Sequence, residues 1–186
     1  MTVPDEPSRT PGVRVIRGVS VGDDRGRFCK VLTPSFFGGS VPHFEECFWS
    51  QSGAGVVRGF HLQLPPADHD KLVFCMTGAA LDVVLDLRVG SPQYGCAETI
   101  ELLGGDGRVV FIPRGVAHAF QALTDSTILC YLTSSAHDVT HDAGIHWESA
   151  GVEWPLPVHA VSARDSALPR LADFRSPFTL GDGTER

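Results

Sequence analysis

The segment Arg58-Gly59-Phe60-His61-Leu62-Gln63 sets a guanidinium, an imidazole and an amide within one short stretch, and Asp70-Lys71-Leu72-Val73 follows with an ammonium. Farther on, Ile112-Pro113-Arg114-Gly115-Val116-Ala117-His118-Ala119-Phe120 supplies a second imidazole, Leu129-Cys130-Tyr131-Leu132 a phenol, and Ser162-Ala163-Arg164-Asp165 a carboxylate. A histidine titrates near neutrality and a buried cation, phenol or carboxylate can each hold or move a proton. Together these groups make general acid–base chemistry available. Singly, each has a plainer reading: His61 or His118 as a satisfied structural imidazole, Lys71 as a solvated strand end, Arg58 as a surface ion-pair partner, Tyr131 as core, Asp165 as a cap or turn residue. The combination carries the argument, because two His, a Lys and an Arg on neighbouring strands are costly to bury without partners or a function.

Side chains alternate along a strand, which would put Arg58, Phe60 and Leu62 on one face and Gly59, His61 and Gln63 on the other. A metal centre needs more. His-rich β-barrels hold metals through His and carboxylate ligands, but the His-x-His spacing that sets two imidazoles on one strand face is absent. Gln63, a poor ligand, stands there instead, so no metal is expected. His137, Asp138, His141 and Asp142 form a second polar cluster, read as a solvated loop or one with a single substrate contact.

These groups must be positioned by strands. From about Phe44 to Tyr131, short apolar stretches alternate with Gly, Pro, Asp and Ser, which predicts strands at Val56–Leu62, Lys71–Met76, Ala80–Asp86, Thr99–Leu103, Arg108–Ile112 and Ile128–Thr133. Val83-Val84-Leu85 reads as buried on both faces. Strands at this spacing, with no long amphipathic helix between them, predict an antiparallel all-β sandwich or barrel. The expected organisation is a single domain over 1–186: N-terminal strands or an arm at 1–43, a barrel core at about 44–133, and C-terminal loops and short helices at 134–186. A short helix is expected within Ser134 to Pro157, a peripheral tail beyond Pro169, and disorder from Gly181 to Arg186.

A chain of 186 residues, 42% hydrophobic, supports one substantial core. The five cysteines have no close CxxC pairing and read as structural, buried thiols. A formal charge of −7 argues against a nucleic-acid binder, though local Arg and Lys residues still hold a small anion. No apolar run approaches the roughly 20 residues of a membrane span, and Met1 to Pro11 is polar, so a soluble cytoplasmic protein with no membrane partner is expected.

Taken in order from about Asp23 to Phe174, the chain resembles the dTDP-4-dehydrorhamnose 3,5-epimerase family. The resemblance is carried by Asp24-Arg25-Gly26 with Phe28, by the segments around His61, Lys71, His118 and Asp165, and by Asp82-Val83-Val84-Leu85-Asp86-Leu87-Arg88 with Gly90-Ser91-Pro92. Gly144-Ile145-His146-Trp147 and Trp154-Pro155 add to it. It implies a cupin-type jelly-roll barrel with short peripheral helices, a homodimer that exchanges N-terminal strands, no metal or organic cofactor, and a nucleotide-diphosphate sugar substrate bearing a 4-keto-6-deoxy-hexose. The implied reaction inverts C3, C5 or both, in deoxysugar biosynthesis. By motif, His61 resembles the base, Asp165 its carboxylate partner, Lys71 the group facing the ketone oxygen and Tyr131 the acid. Arg25 and Arg58 resemble diphosphate and sugar contacts, with Phe28, Lys30, Gln63, His118, Asp142 and Arg164 as further substrate contacts. Lys30 stands where the family often has an acidic residue, and Phe48 where an Asn usually contacts the ligand. These departures leave open the nucleotide, the sugar and the number of carbons inverted. A ketoisomerase acting on another nucleotide sugar and a non-catalytic sugar-nucleotide-binding protein are the alternatives.

Overall fold

A computed structural model describes residues 5–181; residues 182–186, most of the expected disordered tail, lie outside them. Thirteen strands appear among the described residues: β1 (Asp5–Glu6), β2 (Arg14–Arg17), β3 (Val19–Asp23), β4 (Gly26–Lys30), β5 (Glu46–Ser52), β6 (Val57–Gln63), β7 (Lys71–Thr77), β8 (Ala79–Asp86), β9 (Ala97–Leu103), β10 (Arg108–Ile112), β11 (Val116–Ala122), β12 (Thr127–Thr133) and β13 (Asp142–Gly144). The six strands expected from sequence are all present within one or two residues of their predicted ends. The pattern of residues does not mark β5 and β11 as strands. No helix forms within 134–157; the short helices are 3-10 turns at Pro34–Phe37 and Leu171–Asp173 and an α-turn, α1, at Ala163–Ser166.

Two antiparallel sheets face each other in a jelly-roll arrangement, one ordered β1-β2-β10-β7-β12-β5 and the other β13-β6-β11-β8-β9; β3 and β4 form a separate hairpin. Neither strand order closes on itself, so the expected barrel is an open-ended sandwich. Its inner core comes from alternate residues of both sheets: Val73, Cys75, Val110, Leu129 and Tyr131 from the first, Ala80, Val84, Ile100, Val116 and Phe120 from the second.

The second sheet is buried on its outer face too. Phe60, Leu62, Val83, Leu85, Ala117 and Ala119 pack there against Ile145, Trp154, Leu171, Phe174 and Phe178. The segment beyond Pro169 is therefore not peripheral: it covers the sheet, and a parallel bridge from Thr179 to Val89 ties it down. Burial on both sides explains why β11 shows no strand pattern in the sequence, since all seven of its residues are buried and no polar alternation marks it. Two of the five cysteines, Cys75 and Cys130, are buried as expected; Cys47 and Cys96 are exposed, and all five are free thiols.

Candidate active site

The inner face of the sandwich gathers the titratable residues at one end. On β6, His61 lies opposite His118 of β11, and Arg58 lies opposite Phe120. Two residues of β6, Gly59 and Phe60, thus oppose the single Ala119, which is a β-bulge. The bulge overturns the simple alternation: Arg58 and His61 share the inner face while Phe60 and Leu62 turn to the outer core. Gly59 makes this possible. Its φ is +115°, and a Cβ there would sit 2.5 Å from the His118 carbonyl oxygen and 2.6 Å from Ala119 Cα, so no larger residue fits.

His61 Nε2 lies 2.7 Å from Asp165 Oδ1. Asp165 is buried, reaches in from α1, and is fixed further by the Gly59 N–H, which donates to its Oδ2 at 3.1 Å. Burial pushes the Asp165 carboxyl up, but the hydrogen bonds from His61 and Gly59 outweigh it and hold the group below the usual carboxylate range. Ionised Asp165 accepts a hydrogen bond from Nε2–H, which leaves the Nδ1 lone pair of His61 available. Burial, aided by the nearby Arg164 and Lys71 charges and opposed by Asp165, lowers the His61 pKa, so the imidazole is neutral at physiological pH.

Lys71 opens β7. Its Nζ donates to the His61 carbonyl oxygen at 3.2 Å, and burial brings its pKa down to about 8 against the opposing pull of Asp142. Asp142 pairs with Arg164 at 2.5 Å and accepts from Gln63 Nε2 at 3.2 Å. Gln63 Oε1 in turn accepts the Asp138 N–H, so both ends of this amide shape the loop before β13.

A cavity of about 200 Å³ is lined by His61, Gln63, Lys71, Asp142 and Arg164, together with Glu46, Phe48, Leu62, His69, Thr133 and His137. Five of the expected site residues therefore meet around one space, with Asp165 behind His61. Tyr131 and His118 lie beneath it. The Tyr131 ring stacks under Phe48 with centroids 4.9 Å apart, its hydroxyl is 3.2 Å from Ser50 Oγ, and His118 meets it edge-on at 6.0 Å. Burial raises the Tyr131 pKa, so the phenol stays protonated. His118 Nε2 is 2.6 Å from the buried Asp82. Arg58 Nε donates to Ser52 Oγ at 3.0 Å, farther along the same inner face.

Arg25, Phe28 and Lys30 are not brought to this cavity. They sit on the β3–β4 hairpin, where Phe28 is 61% exposed and Arg25 pairs with Asp23. The motif residues Asp86, Arg88 and Ser91 hold the chain together instead, since Arg88 Nε and Nη2 donate to Asp86 at 2.8 and 2.7 Å and Ser91 donates to it at 2.7 Å. His69, Thr133, Ser50 and Glu46 were missed by sequence reasoning. Thr133 had one legible signal, since it ends the strand that carries Tyr131. Among the described residues no three His, Cys, Asp or Glu side chains gather as a metal site, and both inner histidines commit Nε2 to a carboxylate.

Residues 7–173 match the family model described as dTDP-4-dehydrorhamnose 3,5-epimerase. The chain belongs to that family. It is 35% identical over 172 residues to the dTDP-4-dehydrorhamnose 3,5-epimerase of Sinorhizobium fredii, covering 89% of this chain and 88% of the relative. It is 41% identical over 133 residues to a dTDP-4-dehydrorhamnose 3-epimerase of Streptomyces niveus, covering 70% of this chain and 64% of that one. Among solved structures, a 4-keto-6-deoxy sugar epimerase from the novobiocin biosynthetic gene cluster of Streptomyces spheroides superimposes with a TM-score of 0.87 at 34% identity, covering 92% of this chain and 89% of that one. As a member of the dTDP-4-dehydrorhamnose 3,5-epimerase family, the protein is an isomerase on the cupin-like fold of its relatives.

Proposed function

We propose that the chain inverts C3, C5 or both of a dTDP-linked 4-keto-6-deoxy-hexose, with His61 as base. The observation that carries this is the neutral His61, backed by ionised Asp165 and sharing one small cavity with the Lys71 ammonium. Nδ1 of His61 takes the proton from the carbon beside the ketone, and the electron pair moves onto the ketone oxygen, where Lys71 stabilises the enolate. Asp165 stabilises the resulting imidazolium and fixes its orientation. A proton returned from the opposite face inverts the centre, and Tyr131 supplies it. Because the ketone is already present in the substrate, no redox cofactor is needed. Arg164, Asp142 and Arg58 contact the substrate around this centre. His118, edge-on to Tyr131 beneath the cavity, completes these contacts.

Proton NMR of dTDP-4-keto-6-deoxyglucose in deuterated water, with catalytic enzyme, tests the reading. The C3 or C5 signal, or both, should vanish with wild type, persist with His61→Ala, and vanish with Tyr131→Phe while net inversion slows. Exchange by His61→Ala at the wild-type rate would remove His61 as the base.

The protein acts as a homodimer in which N-terminal strands are exchanged and the β3–β4 hairpin carries Arg25, Phe28 and Lys30 to the partner's cavity. Support comes from the exposed Val21 and Phe28 on that hairpin, and from the Trp49-bearing β5 at a sheet edge, apolar surface that monomers seldom leave open. Mixing inactive His61→Ala with inactive Arg25→Ala should restore activity if sites are shared; no recovery on mixing would mean that Arg25 does not reach the partner's cavity. The whole chain serves as one domain, since the C-terminal segment supplies Asp165 and covers the second sheet. Its five free thiols suit a reducing cytoplasmic location, and no helix among the described residues is long and apolar enough to cross a membrane.

A further inference from the structure

Two buried polar atoms of the cavity have no hydrogen-bond partner among the described residues: Nε2 of His69 and Oγ1 of Thr133. The side chains belong to residues only 9% and 1% exposed. Leaving such atoms unpaired is unfavourable, and native proteins seldom do so without a use. Three other buried unpartnered atoms, in Asp82, Arg114 and Trp154, lie outside this cavity's lining.

The hydrogen-bond pattern fixes what His69 offers. Ser135 Oγ donates its single proton to the Ala67 carbonyl oxygen at 3.2 Å and lies 3.3 Å from His69 Nδ1. With the Ser135 proton on the Ala67 carbonyl, Nδ1 carries the ring hydrogen and donates to Ser135, and Nε2 presents a bare lone pair. Burial and the neighbouring Lys71, Arg114 and His137 charges bring the His69 pKa down to about 3, so it does not protonate in the working range. Thr133 stands directly across from Lys71 in the β7–β12 register, and both side chains line the cavity.

A lone pair repels an anion, which excludes phosphate, and the surrounding positive charge disfavours an ammonium. A neutral hydroxyl fits both atoms, because it donates to Nε2 and accepts from Thr133. We infer that His69 Nε2 and Thr133 Oγ1 form a subsite that grips one hydroxyl of the sugar ring while Lys71 faces its ketone. This rests on the epimerase reading above and makes the two residues specificity determinants for an intact, hydroxylated ring.

The test compares kcat/KM of wild type, Thr133→Val and Thr133→Ser on dTDP-4-keto-6-deoxyglucose and on its 2-deoxy and 3-deoxy analogues. Thr133→Val should lose about ten- to a hundredfold on the parent sugar. On one of the two analogues, wild type and Thr133→Val should agree within about twofold, since there the hydroxyl is gone. Thr133→Ser, which keeps the hydroxyl, should stay near wild type on all three. Equal losses by Thr133→Val on every substrate, or no loss on any, would overturn the subsite. If Thr133→Val does not fold, His69→Phe is read through the same comparison. Failure of wild type to turn over the parent sugar would instead overturn the epimerase reading.

Discussion

Two histidine–aspartate pairs stand side by side on β6 and β11, in different surroundings. His61 and His118 are direct cross-strand partners, and each sets Nε2 against a carboxylate, at 2.7 and 2.6 Å. Their surroundings differ. The His61 side chain is 30% exposed and lines the cavity, whereas that of His118 is 6% exposed and lies under the Phe48–Tyr131 stack. Asp165 arrives from 104 residues away and is fixed by the Gly59 N–H, while Asp82 sits on the neighbouring β8 with Oδ2 unpartnered among the described residues. The pairing chemistry is the same, and the exposure is not: the His61 pair opens to the cavity, while the His118 pair is buried beneath it.

The sharpest way to break this contrast is to remove each imidazole. His61→Ala should cut turnover by about a thousandfold or more, with a smaller loss of thermal stability than His118→Ala, because buried Asp165 keeps the Gly59 N–H as a donor. His118→Ala should show the reverse emphasis: Asp82 is left buried without its partner, at a cost of about 3 kcal/mol or more, with a smaller loss of activity per folded molecule. Calorimetry and steady-state kinetics on both variants read the two effects. A His118→Ala protein that melts like wild type yet performs no exchange would erase the distinction.

Asp165→Asn sharpens the comparison at the carboxylate. It preserves shape but no longer stabilises the imidazolium, so kcat should fall by about a hundredfold, whereas Asp82→Asn should act first on the melting temperature. Equal kinetic losses in the two variants would mean that both pairs serve the chemistry.

The smallest expected effect is in the pH profile. In the proposed mechanism Lys71 acts protonated, and it loses its proton as pH rises through about 8, so the rate should decline above that value. His61 must be neutral, and its lowered pKa puts the acid limb below the ordinary histidine range. A basic limb near the ordinary lysine value would show that Lys71 is more hydrated than its position implies.

Much of this was legible along the chain. Six strands were readable because turn residues punctuate apolar runs, and His61, Lys71, Tyr131, Asp142, Arg164 and Asp165 stood out within recognisable segments. β11 was not, because the C-terminal segment covers its outer face and removes the polar half of the alternation. Gln63 read as a substrate contact, yet its amide is engaged at both ends by the loop at Asp138 and Asp142.

The sequence by itself determined the all-β class, the family and the kinds of group available for proton transfer, since these depend on residue type and local spacing. Only the tertiary structure decided which groups meet. The bulge at Gly59 turned Arg58 inward, the pairing of β6 with β11 set the two histidines opposite each other, and α1 brought Asp165 to one of them. Likewise, the hairpin carrying Arg25 and Phe28 stayed clear of its own chain's cavity. Register and long-range packing leave no periodic mark on the residues they join, because they arise from contacts between segments far apart in the chain.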